Sequence, residues 1–253
     1  MRNLPRWVSA PLATAVALIV SGASVTSGPA VASSEEGPTY QMPAVGECHN
    51  LSWKAVRAES DTTAPVECSA AHNLVVVAVF TLPAGTSWDE EDPGFRKTLA
   101  ETCVPAVKEA LGVSFRERAM SAYTWAFWQP TEEQRAHGAS WLRCDVGLSA
   151  YKKLAPLPNA GLSLADRTLS AAERACVLVD RTGGFTPSSC ASRHNYRAVK
   201  VLVVSGRNVP STRKYLRVAE RRCPGAHWYA TWPPDISWAA GDHTLTCYRP
   251  ARR

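Results

Sequence analysis

Cys68-Ser69-Ala70-Ala71-His72-Asn73 and Cys190-Ala191-Ser192-Arg193-His194-Asn195 share the pattern Cys-x3-His-Asn. Each is followed by an apolar, β-branched run, residues 73–82 in the first case and 197–205 in the second. Continuous runs of this kind suit strands buried on both faces. The next cysteine comes 35 residues after Cys68 and 33 residues after Cys190. Each series then closes on Gly-x5-Cys, at Gly138/Cys144 and Gly241/Cys247, with Trp128 and Trp232 standing ahead of a proline. Agreement at this many offsets is the signature of duplication. The chain therefore reads as two tandem α+β units. Each is expected to be a small, mainly antiparallel sheet carrying one main helix and two disulfides.

The helices are legible from spacing. Leu99, Cys103, Val107 and Leu111 recur every four residues within 94–111, and Gly112 follows as a C-cap. The acidic run Asp89 to Asp92 precedes this helix, which suits its dipole, and lacks the spaced oxygen ligands of a calcium loop. In the second unit Tyr215, Val218, Ala219 and Cys223 mark one side of a helix over 211–223. Residues 121–128 and 228–232 read as aromatic strands, and Thr131 as the N-cap of a short helix. In the first aromatic strand Trp125 and Phe127 share one parity and Trp128 the other, so one set is expected in the core and one at the surface.

Arg2 and Arg6, the apolar run 10–20 and Ala30-Val31-Ala32 together read as a signal peptide over 1–32, with cleavage before Ser33. The apolar run is shorter than the roughly 17–25 residues a membrane span needs, so no stable membrane span is expected after cleavage. The expected organisation is a flexible lead-in over 33–43, a first unit over 44–150, a linker over 151–167 and a second unit over 168–250. Removing Arg2 and Arg6 from the 28 basic residues leaves 26 against 22 acidic ones. This mild excess fits an exported protein touching anionic envelope polymers; nucleic acid is not expected as a partner.

All eight cysteines, Cys48, Cys68, Cys103, Cys144, Cys176, Cys190, Cys223 and Cys247, lie beyond the signal. An even count in small exported units points to disulfides. No pair has the close spacing of a zinc cluster, so neither a metal nor another cofactor is expected.

Val45-Gly46-Glu47-Cys48, Val66-Glu67-Cys68 with His72, Cys103, and Trp128 through Cys144 resemble the actinobacterial septum-formation family of exported proteins. That family's domain typically opens on Val-Gly-Asp-Cys and ends on Trp-x-x-Pro and Gly-x5-Cys. The second unit departs at its opening, where Arg174-Ala175-Cys176 stands instead. The resemblance implies a link to division septa without implying a reaction. Four cysteines per unit allow three connectivities each. First-to-second and third-to-fourth pairing is the expectation: Cys48–Cys68, Cys103–Cys144, Cys176–Cys190 and Cys223–Cys247.

For chemistry, His72 and His194 are the sharpest candidates because both units carry them. A general base needs a partner in reach, and none recurs between the units. Side chains bonded to nearby backbone, turning the chain into the buried strand, are the expected role. The tryptophans, Trp128 and Trp232 among them, could stack on sugar rings of a wall glycan or fill the core. No Gly-x-Ser-x-Gly elbow or phosphate loop occurs. The expected function is a non-enzymatic exported envelope protein, binding or scaffolding in septum formation, with an unknown protein or cell-wall partner. A glycan-binding module, or a wall-active enzyme or inhibitor, is the alternative. A cleft joining a histidine to a carboxylate would mark an enzyme.

Overall fold

The computed structural model describes residues 36–158 and 161–251, so the signal-peptide expectation lies outside the described residues. Two five-stranded antiparallel sheets form the body. The first contains β1 (Cys48–His49), β2 (Leu74–Thr81), β3 (Tyr123–Trp128), β4 (Trp141–Ser149) and β5 (Leu154–Ala155). Its strands lie in the order β1-β2-β4-β3, and β5 pairs with β4. The second contains β6 (Ala175–Val179), β7 (Phe185–Ser189), β8 (Tyr196–Val203), β9 (Tyr229–Thr231) and β10 (Thr244–Pro250), in the order β7-β6-β8-β10-β9. Apart from β5 in the first sheet and the hairpin strand β7 in the second, the second order repeats the first. Five helices complete the structure: α1 (Pro93–Leu111), α2 (Phe115–Arg118), α3 (Glu132–Ala136), α4 (Thr212–Arg222) and α5 (Asp235–Ala239).

The sequence explains the helix ends. Asp92 caps α1 by accepting from the Gly94 and Phe95 amides, and Gly112 closes it at φ 64°, a left-handed conformation that glycine adopts without a Cβ penalty. Thr131 and Gln134 form a capping box on α3. The buried stripe of α1, Phe95, Leu99, Cys103 and Val107, packs on the face of β4 that carries Leu142, Cys144 and Val146. In the second half Tyr215 and Ala219 of α4 pack on Leu245 and Cys247 of β10 in the same way.

The disulfides are Cys48–Cys68, Cys103–Cys144, Cys176–Cys190 and Cys223–Cys247, and no described cysteine is free. The second pins α1 to β4, and the fourth pins the C-cap of α4 to β10. Four bridges fit an oxidising, extracytoplasmic compartment.

The Cys-x3-His-Asn motif takes the same form in both halves. The Nδ1 atoms of His72 and His194 contact the carbonyl oxygens of Ala70 and Ser192, at 2.9 and 2.7 Å. The Asn73 amide brackets the backbone of Leu51, accepting from its N–H at 2.9 Å and donating to its C=O at 2.8 Å. Asn195 brackets Val179 in the same way, at 2.7 Å each. Leu51 and Val179 each lie three residues beyond the half's first cysteine. Asn73→Ala is expected to cost about 1–3 kcal/mol, because it strands two buried backbone groups. Urea unfolding measures this; a loss no larger than that of an exposed serine would contradict it.

Two parts of the chain differ from the sequence reading. Residues 36–43, expected as a flexible lead-in, are tied to the first half. The Gly37 N–H donates to the His137 C=O at 2.7 Å, the Ser140 N–H to the Pro38 C=O at 3.0 Å, and the Trp141 indole to the Tyr40 C=O at 2.9 Å. Tyr40 also stacks on His137 at 4.7 Å. Neither face of β3 is a free surface. Trp125 and Phe127 pack with Phe95 under α1, while Trp128, 1% exposed, lies on the other side with Leu51 and Leu74. The segment 40–61 covers that second face, which the alternation along β3 alone does not reveal.

The described residues form one compact unit. The Ala122 N–H donates to the Glu173 C=O at 2.7 Å and the Ala175 N–H to the Met120 C=O at 2.9 Å. Arg118 pairs with Asp242 at 3.3 Å, and Arg96 pairs with Asp235. Within the linker, Leu157 and Leu164 are buried and bond through their N–H groups to His72 and Leu111 carbonyls.

Candidate functional site

Side chains alternate along β4, so Arg143 and Asp145 share the face opposite Leu142 and Cys144. An arginine and an aspartate on one face of a buried strand need partners. Arg143 is 2% exposed and Asp145 is fully buried. The Arg143 Nε donates to Asp145 Oδ1 at 2.9 Å, and its Nη2 donates to Asp61 Oδ2 at 2.8 Å. The guanidinium lies 4.6 Å over the Trp128 ring, a cation–π contact made stronger by burial. The strand register sets this contact, since Trp128 is directly opposite Arg143.

His49, on β1 and 2% exposed, completes the cluster. Its Nδ1 is 3.5 Å from Asp61 Oδ2, its Nε2 is 3.6 Å from Glu47 Oε2, and Arg143 Nη1 lies 3.4 Å from Nε2. Burial, aided by the nearby Arg143 charge, holds the His49 pKa below the ordinary histidine value. In the neutral ring an unprotonated Nε2 can accept from Arg143, while Nδ1, nearest Asp61, makes no hydrogen bond. Burial also pushes the Asp145 carboxyl up to about 7, against the pull of Arg143. Its second oxygen, Oδ2, has no hydrogen-bond partner and is the natural seat for a proton.

These shifts give a pH prediction. Asp145 has a higher proton affinity folded than unfolded, so its contribution to stability is present below about pH 4 and is lost as pH rises through about 7. His49 acts in the opposite sense: its lowered pKa makes stability rise as pH climbs towards 6.5. An Asp145→Asn chain keeps the His49 effect and removes the Asp145 one. Its stability relative to the native chain is expected to improve between about pH 5 and pH 8. Paired urea titrations check this, and a difference that stays flat with pH would contradict it.

His49, Asp61 and Arg143 of the cluster line a cavity of about 640 Å³. Tyr40 to Pro43, Thr62 to Pro65 and the start of α3 wall it, and Glu47, Glu132 and Glu133 give its lining an acidic excess. Glu132 and Glu133 are exposed. The corresponding face of the second half lacks the cluster. Thr246 and Tyr248 flank Cys247 as Arg143 and Asp145 flank Cys144, and Val177 follows Cys176 as His49 follows Cys48.

Of the residues singled out by sequence, Trp128 belongs to the cluster, and His72, His194 and Trp232 lie elsewhere. His72 is buried and turned into its own loop, and His194 is half-buried, lining a separate cavity of about 550 Å³. Trp128 serves the cluster as the platform under Arg143. Trp232 stacks on Tyr215 at 4.7 Å. The two tryptophans are not equivalent: Trp128 pairs with the residue before Cys144, and the residue before Cys247 pairs with Thr231. Among the described residues Trp53 is the one tryptophan more than a third exposed, so no row of exposed indoles forms. Nor do the described residues contain a group of three or more His, Cys, Asp or Glu placed to hold a metal, or a helix long and apolar enough to cross a membrane.

The sequence model of a family described as "septum formation" matches residues 45–228 in one span, from the start of the first sheet to just short of β9. No curated protein matches the chain, and no solved structure does.

Proposed function

Because the chain belongs to the septum formation family, we propose that it is an exported, non-enzymatic envelope protein that acts in septum formation by binding a partner at the His49–Arg143 cavity. The observation that carries this reading is the internal pairing of the cluster. Asp145 and Asp61 take the Nε and Nη2 of Arg143, Trp128 takes its face, and His49 is neutral between them. A general base works on a nucleophile within hydrogen-bond reach. The hydroxyls lining the cavity belong to Tyr40, Thr62, Thr63 and Thr131; that of Tyr40 accepts from the Gln41 amide and that of Thr131 already caps α3. A rigid, self-neutralised floor under an acidic rim favours recognition of a protein or cell-wall partner presenting a cationic group.

Two tandem copies of one unit account for the rest of the architecture. The shared strand order, the shared disulfide pairing and the paired asparagine brackets support this reading. In it the second copy has lost the charged floor and serves as scaffold.

The test is co-sedimentation with isolated envelope material. The native chain is expected to be retained without releasing soluble fragments, and Glu132→Lys/Glu133→Lys to reduce retention. Fragment release that His49→Gln abolishes would overturn the non-enzymatic reading. Equal retention of the rim variant would overturn the cavity.

A further inference from the structure

A third concavity, of about 340 Å³, lies where the β4–β5 hairpin meets β7. It is unlike the charged cavity in every respect. Its floor is Leu74, Leu154 and Ala126, part of the apolar cluster on the far side of β3. Its mouth carries Trp53 and Phe185, which are 39% and 48% exposed and are among the few large apolar side chains the protein shows to solvent. Lys152 and Lys153 stand at the same mouth, both exposed, and neither makes a salt bridge among the described residues.

The hairpin that delivers the lysines is itself unusual. Tyr151 and Lys152 have φ of 42° and 54°, in the left-handed region that favours glycine and asparagine. Non-glycine residues held there cluster at ligand clamps. Here the conformation is maintained by the Ala150 N–H donating to the Lys153 C=O at 3.0 Å, and it places both lysines at the rim of one apolar opening, with the Lys152 Nζ 5.7 Å from the Tyr151 ring centroid.

An apolar hollow with cations free of carboxylate partners at its mouth is complementary to an amphipathic anion. We propose that this groove binds the acyl chain of a single-chain carboxylate lipid, its tail against Leu74 and Leu154 and its head group at Lys152 and Lys153. A peptide added to the edge of β7 fits less well. Pro187 sits in that edge strand and has no N–H to offer, which is how natural edges discourage strand addition. The volume falls in the range of small-molecule sites.

Isothermal titration of the purified chain with dodecanoate, kept monomeric, tests the proposal. One dodecanoate per chain is expected. Lys152→Gln/Lys153→Gln, two exposed changes, should weaken it about tenfold or more. Thr186→Trp, on the half-buried side of the groove, should fill the space and abolish binding. Failure of dodecanoate to bind would overturn the proposal. So would equal affinity for dodecanol, equal affinity of the lysine variant, or an acidic aromatic peptide binding where dodecanoate does not. None of these outcomes bears on the charged cavity.

Discussion

Replacing Arg143 by alanine is expected to lower stability by about 3–5 kcal/mol at neutral pH, the usual penalty for breaking a buried ion pair from one side. The reason is what remains. The Asp61 side chain is 1% exposed and Asp145 is fully buried, and both would lose the guanidinium that pairs them. Trp128 would lose the cation on its face. Arg143→Lys should recover only a fraction, because an ammonium cannot present two parallel edges to two carboxylates while stacking on an indole. Urea unfolding of the three chains measures the series. A loss below about 1 kcal/mol for alanine, or full recovery by lysine, would show that the cluster is hydrated or already neutral. A triple change to apolar residues of similar size is expected to be far less harmful than Arg143→Ala, since no charge is stranded.

Removing the Cys103–Cys144 bridge by a double alanine change is expected to cost about 4 kcal/mol, as the chain-entropy relation gives for a bridge closing 41 residues. The same relation gives about 3 kcal/mol for Cys176–Cys190, which closes 14. The difference should be widened by packing. Both core sulfurs lie between Leu99 and Leu142 with no exposure, so their loss also opens a void under α1. Thermal unfolding of the two double variants ranks them. If the Cys176–Cys190 variant melts lower, the bridge from α1 to β4 is not the principal clamp of the first half.

Much of this fold is legible in the sequence because its constraints are local and occur twice. The four-residue stripe from Leu99 to Leu111, with Asp92 before it and Gly112 after it, specifies α1 without reference to the rest of the chain. The Cys-x3-His-Asn pattern marks two equivalent turns, and His72 and His194 contact their own loops as side chains in turns commonly do. The strand β7 is harder to read, since Phe-Thr-Pro-Ser-Ser lacks both alternation and β-branched density.

The charged cavity is the larger omission. His49, Asp61 and Arg143 are far apart in sequence and carry no motif spacing, and β1 is two residues long. One signal was present. Arg143 and Asp145 flank a cysteine in an otherwise apolar strand, and a strand's period of two places both on one face. Two opposite charges two residues apart in a buried strand require each other and further partners. The docking of the two halves is not legible either, because the hydrogen bonds from Ala122 and Ala175 go to the carbonyls of Glu173 and Met120, which lie in connecting segments with no apolar pattern.

The most direct test of a septal binding role is the distribution of the chain in growing cells, followed with a fluorescent fusion that folds after export. The native chain is predicted to concentrate at division sites, and the Glu132→Lys/Glu133→Lys chain, folded to the same stability, to spread evenly over the envelope. A native chain spread evenly, or released into the medium, would contradict the account.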